Sequence, residues 1–186
     1  MAWEEGTWLH LVQDEEARHA VADLIAEGDR IQLADKRFRR ELASWVHPNR
    51  TNSRDGMPGY AFGFGDLMSL AGPFAIRTFD TGKGQAAKDR ELAEGSPVLA
   101  ILGTVADTPP EWLRAGQALA RVLLRARAEG VWASFMNQPI EVSELRPRLQ
   151  GLVGQEGFPQ LLVRMGYARA VRPTPRRPAD EVISAQ

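Results

Sequence analysis

Apolar runs and helical periodicities along the chain predict alternating strands and helices. Two continuous apolar runs, Thr7–Val12 and Val98–Thr104, predict strands, the second of them buried and central. A third strand is predicted over Gln160–Tyr167, and residues 131–139 predict a short strand or an extended loop. Because strands and helices follow one another, the order of elements is typical of an α/β or α+β protein.

Three segments with apolar residues at helical spacing predict helices outside the central part of the chain. The first begins at Asp14, with acids in its first turn, and Gly28 interrupts its pattern. Asp35 is the predicted cap of the second helix, which His47-Pro48 ends. A further helix is predicted over 141–150.

Residues 108–130 carry the clearest helix signal. Thr108 is a predicted N-cap, Pro109 suits the first helical position, and Glu111 follows the cap by three residues. Gly130 is the predicted C-terminal stop. The predicted buried stripe consists of Trp112, Leu113, Leu119, Val122, Leu123 and Ala126.

Residues 48–97 are rich in glycine and proline, and residues 55–65 within them show neither helical nor strand periodicity. Within them, Asp55–Gly65 (DGMPGYAFGFG) alternates aromatic and flexible positions. We predict a long ordered loop here, because loops of this length are usually functional or disordered. It is either a lid over a binding site or an excursion that covers the core.

Composition and charge limit the class of protein. The chain has 186 residues, of which 44% are hydrophobic and 25% charged, as expected for one globular domain over residues 1–186. The formal charge of −1 argues against nucleic acid as a partner, so any anion site must be local. The absence of cysteine excludes disulfides, thiolate catalysis and zinc fingers.

Neither a membrane span nor a signal peptide is predicted. The longest uncharged stretch, residues 95–106, is too short to cross a bilayer. Residues 1–5 carry two acids where a signal peptide would carry bases. We therefore expect a soluble, cytoplasmic protein.

Familiar catalytic and metal-binding motifs are missing. His10, His19 and His47 have no partner carboxylates at metal-ligand spacing, and no Gly-x-Ser-x-Gly motif is present. The sequence around Lys83 lacks the Ser or Thr of a phosphate-binding loop, and Gly63-Phe64-Gly65 lacks the third glycine of a dinucleotide fingerprint. We predict no catalytic side chain and no metal ligand.

Two segments nevertheless have ligand-binding character. Five arginines lie between Arg164 and Arg177, where prolines stiffen the chain around Arg176, so this segment is either a phosphate anchor or a solvated basic tail. Residues 130–139 combine small and amide side chains that suit a planar ligand, although an ordinary connection would look the same.

Short sequence strings across nearly the whole chain resemble the nitroreductase-like FMN-binding family. The resemblance is to the C-terminal half of the actinobacterial branch in which two such halves are fused. The strings are RELASW (40–45), DGMPG (55–59), AAKD (86–89), SPVL (96–99), AGQAL (115–119), ASFMNQP (133–139) and TPRRP (174–178).

This resemblance implies an α+β fold, nitroreductase-like, with a central mixed sheet flanked by helices. It also implies non-covalent FMN and hydride transfer from NAD(P)H to a small nitroaromatic or quinone-like acceptor. Because the flavin performs this chemistry, no acid–base pair is needed.

The resemblance also assigns the cofactor-binding residues. The segment around Phe135, Met136, Asn137 and Gln138 would lie beside the isoalloxazine ring, and Arg176 with Arg177 would meet the phosphate. The aromatic loop, a lid-like insertion over residues 48–97, would cover the flavin.

The family's N-terminal portion has no counterpart in these residues, so the resemblance implies only half of a flavin site. A homodimer would complete the site, or else the missing N-terminal half would, in which case we expect the chain to be a fragment. The alternatives to a reductase are a flavin-binding or flavin-sequestering protein without turnover and a structural half-domain without cofactor.

Overall fold

A computed structural model of the chain describes residues 6–183. Contacts within the chain divide them into two compact units, one comprising residues 6–32 and 82–169, the other residues 33–81 and 170–183. Length alone had suggested a single domain. The N-terminal acids that argued against a signal peptide lie outside the described residues.

Helices and strands alternate along the described chain. In order they are β1 (Thr7–Val12), α1 (Glu15–Ala34), α2 (Lys36–Trp45), β2 (Val46–His47), β3 (Met57–Pro58), α3 (Asp66–Thr78), α4 (Gly82–Glu94), β4 (Val98–Thr104), α5 (Pro109–Ala128), β5 (Val131–Phe135), α6 (Gln138–Glu141), α7 (Arg146–Val153) and β6 (Phe158–Tyr167). Within residues 6–183, every helix is too short or too polar to cross a membrane.

The first unit is built on a four-stranded sheet in the order β1-β4-β6-β5. All three pairings are antiparallel, whereas a mixed sheet was expected. Strand direction depends on the intervening connections, which the strand sequences do not encode. The predicted β1 and β4 are confirmed, and β6 begins at Phe158, two positions earlier than predicted.

Helices cover both faces of this sheet. On one face, Leu99 and Ile101 of β4 belong to a buried cluster that includes Ile25 of α1. On the other, Leu102 packs in a separate cluster with Ala118 of α5. This alternation along β4 explains its unbroken apolar sequence, since a strand covered on both faces needs apolar residues at every position.

The buried face of α5 differs from the predicted stripe. Trp112 is 51% exposed and Leu113 73% exposed, whereas Ala115 and Ala118 are buried. Small side chains let the helix backbone approach the sheet closely, so α5 packs through its alanines rather than through its largest apolar residues. Thr108 is the N-cap as predicted, but its side chain makes no capping hydrogen bond.

Two other helix predictions need correction. The helix expected over 141–150 is two helices, α6 and α7, because Pro147 suits only the first turn of a new helix. Helix α1, by contrast, continues through Gly28 without a break.

The prediction of a long loop over residues 48–97 was wrong as to secondary structure, because helices α3 and α4 lie within this range. In α3, Leu67, Leu70 and Phe74 do recur at helical spacing, but the face that they form is exposed, while Ser69 and Gly72 are buried. The glycines and prolines of the surrounding segment outweighed this spacing in the prediction.

A hydrogen-bonded network around Asp107 ties the end of β4 to α5, α7 and β6. The Arg146 guanidinium donates to both carboxylate oxygens of Asp107, at 2.7 and 3.1 Å. The Trp112 indole N–H and the Gln160 amide donate to Oδ1 at 2.7 and 3.1 Å. Arg146, followed by Trp112 and Gln160, holds the pKa of Asp107 far below its usual range.

Asp107→Asn should lower the free energy of unfolding at pH 7 by about 1–2 kcal/mol, since it removes charge-assisted hydrogen bonds. Because the folded pKa is depressed, the wild-type advantage is complete above the unfolded pKa and disappears as the pH falls below about 4. Urea unfolding at several pH values measures this difference. Asp180→Asn, at an exposed position, is the control. A deficit that stays constant down to pH 3 would contradict the prediction.

Candidate functional site

A cleft of about 880 Å³ lies within the second compact unit. Residues after β2, the turn after β3, the start of α3 and the C-terminal tail all contribute to its lining. The residues that give it its chemical character are Asn49, Arg50, Tyr60, Asp66, Arg172 and Arg176.

Asp66 is held firmly at the edge of this cleft. Asn49 Nδ2 donates to Asp66 Oδ1 at 3.0 Å, and Arg50 donates to Oδ2 through Nε and Nη2 at 3.1 and 3.0 Å. Asn49, Arg50 and the more distant Arg172 lower the pKa of Asp66. The lining thus sets three arginines against one ionised carboxylate, and this excess of positive charge favours an anionic ligand.

Tyr60 orders the C-terminal tail along the cleft. Its hydroxyl donates to the carbonyl of Pro173 at 2.9 Å, and the Arg172 guanidinium lies 4.6 Å from the centre of its ring. Such a cation–π contact stabilises an arginine while leaving its N–H donors available. Arg176 is positioned by Thr174, whose hydroxyl oxygen accepts from Nη1 at 2.9 Å.

The cleft contains only part of the predicted phosphate anchor. Arg176 lines it, whereas Arg177 is not among the lining residues. The sequence did not mark Arg50 or Asp66 as site residues, because a single charge in a loop or in the first turn of a helix belongs to no motif. Tyr60 did belong to the aromatic run, and that run was the available signal.

Residues 135–138 lie in the first unit, where β5 ends and α6 begins. Phe135 is 51% exposed, whereas Met136 is buried and its N–H donates to the carbonyl of Leu162 at 2.9 Å. Asn137 Oδ1 accepts from the Leu162 N–H at 2.9 Å. Met136 and Asn137 therefore fasten the segment to β6, and the ring of Phe135 is left available to a ligand.

Gln138 also turns its side chain into the protein. Its Nε2 donates to Asp29 Oδ1 and to Asp89 Oδ2, both at 3.1 Å. The backbone of α1 approaches closely at Gly28, where a Cβ would lie 2.6 Å from the Cβ of Gln138. Gln138 thus anchors the segment to α1 and α4.

The structure places the two predicted sets in different units. The ring-contacting set, residues 135–138, belongs to the first unit, and Arg176 and Arg177 belong to the second. In residues 6–183 no group of three or more His, Asp or Glu side chains is arranged to hold a metal ion.

Sequence comparison finds relatives in Mycobacterium tuberculosis, although no family model matches the chain. The protein named "Putative NAD(P)H nitroreductase Rv3131" is 31% identical over 166 residues, which are 86% of this chain and 46% of that protein. "Uncharacterized protein Rv3127" is 35% identical over 120 residues, 62% of this chain and 33% of that protein. The chain thus spans less than half the length of these curated relatives.

Solved structures share the fold. The FMN and NADPH-dependent nitroreductase NfnB from a Sphigopyxis strain superimposes with a TM-score of 0.57 at 21% identity, over 97% of this chain and 80% of that one. A BluB-like flavoprotein from Clostridium difficile gives a TM-score of 0.54 at 12% identity, with the same coverage. Likeness at this level of identity shows a common architecture.

Proposed function

The chain belongs to the nitroreductase-like family, and we propose that it binds FMN and takes part in NAD(P)H-dependent reduction of nitroaromatic or quinone-like acceptors in the cytoplasm. The α+β, nitroreductase-like fold expected from the sequence is confirmed by the solved structures. The observation that carries the proposal is the arginine-lined cleft of the second unit, because it contains Arg176, the predicted phosphate ligand.

The cleft suits a phosphate-bearing ligand. Its volume of about 880 Å³ falls in the usual range for small-molecule sites. Arg172 and Arg176 present planar guanidinium donors, the preferred partners of a phosphate dianion. Asp66 offsets one positive charge by pairing with Arg50, which leaves the other two arginines to balance the phosphate.

Phe135 is the residue proposed to contact the isoalloxazine ring. Its exposed aromatic side chain stands on the last residue of β5, which pairs with Val163 of β6, so the ring has a firm support. Bound FMN would supply the hydride-transfer chemistry, accepting a hydride from NAD(P)H and passing it to the acceptor. The chain itself would bind, orient and partly desolvate the flavin, which requires no acid–base side chain.

We also propose that the flavin site is completed by a second copy of the chain or by a separate N-terminal half. The support is that the chain matches less than half the length of its curated relatives. Sedimentation with and without FMN tests the first arrangement. A chain that binds FMN as a monomer would exclude it.

The absorption spectrum after FMN addition and desalting tests the proposed function. Retained flavin supports a working site, whereas a colourless protein contradicts FMN binding by this chain alone and means that the N-terminal half supplies essential contacts or that the chain is a structural half-domain. NAD(P)H oxidation is then followed with and without a quinone acceptor. Acceptor-dependent oxidation supports a reductase, whereas tight FMN binding without oxidation favours a flavin-sequestering protein.

A further inference from the structure

Two buried carboxylates share the amide group of Gln138. Asp29 on α1 is 5% exposed and Asp89 on α4 is 9% exposed. Gln138 Nε2 lies 3.1 Å from an oxygen of each, and Gln85 Nε2 donates to the same Asp89 oxygen at 3.0 Å. The donors that hold this pair are neutral amides.

The pair lacks a compensating positive charge in direct contact. Within residues 6–183 neither carboxylate makes a salt bridge. The positive charge of Arg30, also on α1, lowers the pKa of Asp29 without direct contact. From α4 and α6 the facing groups are Asp89 and the amides of Gln85 and Gln138. Two negative charges in such surroundings repel each other and are poorly solvated.

Two buried acceptors in the cluster also lack a donor. Asp29 Oδ2 and Gln138 Oε1 are both buried without a hydrogen-bond partner. A proton on Asp29 Oδ2 would convert one of these unpaired acceptors into a donor. It would also remove one of the two negative charges and so lessen the repulsion between the carboxyl groups.

We propose that Asp29 carries a proton at neutral pH and that the neutral Asp29, together with Asp89, positions Gln138, and with it residues 135–138. The part of this inference that concerns flavin rests on the proposed function. Asp29 and Asp89 are then positioning residues, since they act on the flavin only through Gln138.

The electrostatics of Asp29 agree with this assignment. Burial, reinforced by the negative charge of Asp89, raises the pKa of Asp29 to about 7, although the hydrogen bond from Gln138 and the charge of Arg30 act in the opposite direction. Because the folded pKa exceeds the unfolded one, the protonated form stabilises the fold at low pH. This stabilisation is lost as the pH rises through about 7.

The pH dependence of unfolding tests the proton on Asp29 without any flavin. Asp29→Asn reproduces the protonated carboxyl, with one acceptor and one donor, and cannot ionise. Between pH 5 and pH 8.5 the unfolding equilibrium constant of the wild type should rise at least tenfold relative to that of D29N. Asp23→Asn, at an exposed position of α1, is the matched control and should follow the wild type. Parallel curves for wild type and D29N would overturn the proposal.

A second measurement uses the wild-type chain, so it does not depend on whether D29N folds. The infrared spectrum of the wild type at pH 6, minus that at pH 8.5, should show the band of a protonated carboxyl group that is lost at the higher pH. Carboxyl groups that are fully ionised at pH 6 would refute the proton on Asp29.

FMN affinity as a function of pH tests the positioning role. The affinity of the wild type should fall severalfold above pH 7, whereas that of D29N should stay level, a contrast that a merely structural role would not produce. The same affinity profile for both proteins would overturn the positioning role. Absence of FMN binding at every pH would instead refute the proposed function, and the unfolding and infrared measurements would still decide whether Asp29 carries the proton.

Discussion

Arg176→Ala should weaken FMN binding about 10- to 100-fold, because hydrogen bonds to a charged group contribute about 1.5–3 kcal/mol. Arg176 lines the cleft and is held there by the hydroxyl of Thr174. Arg177→Ala is the matched control, since Arg177 is adjacent to Arg176 and carries the same charge but does not line the cleft. Titration followed by flavin fluorescence measures both affinities.

Riboflavin provides an independent control for this prediction because it has the ring but not the phosphate. Its affinity should change little in Arg176→Ala. An equal loss of affinity for riboflavin and FMN would mean that Arg176 supports the cleft structurally. An equal loss in both arginine variants would mean that only the overall positive charge of the tail matters.

Gly103→Ala should lower the free energy of unfolding by about 3 kcal/mol, the upper end of the cost of overpacking a core. Gly103 of β4 lies directly opposite Trp8 of β1. A Cβ at this position would overlap the Trp8 indole, which is itself buried. The strands would have to separate or the indole would have to leave its site.

Gly116→Ala is the matched control for this substitution. Gly116 lies in the exposed part of α5, and a Cβ there would meet no atom within 4 Å. Alanine in a helix should stabilise the protein by about 0.5–1 kcal/mol relative to glycine. Urea unfolding of both variants should therefore give changes of opposite sign, and a neutral Gly103→Ala would contradict the packing described for Trp8.

Part of the binding site could be predicted from neighbouring residues alone. Arg176 was identified because prolines and further arginines surround it within a few positions. Its partners in the cleft could not be identified in this way. Tyr60 meets the carbonyl of Pro173 across 113 residues, and no local pattern records such a contact.

Residues 135–138, where β5 ends, also show that local sequence does not reveal long-range contacts. Sequence resemblance marked residues 135–138 as a unit beside the flavin ring, but it did not indicate the orientation of the individual side chains. In the structure Gln138 is held by Asp29 and Asp89, which lie 109 and 49 positions away. The inward orientation of this side chain follows from the packing of α1 and α4, and only Phe135 is exposed.

The sequence by itself determined the elements whose signal is local. The apolar runs of β1 and β4, the acidic start of α1 and the glycine after α5 each depend on residues within one or two turns of each other. The tertiary structure decided which faces are buried, as in α5 and α3, how the strands pair, and which charges meet. These properties depend on contacts between residues far apart in the chain, and such contacts stabilise the protein only once the chain has folded.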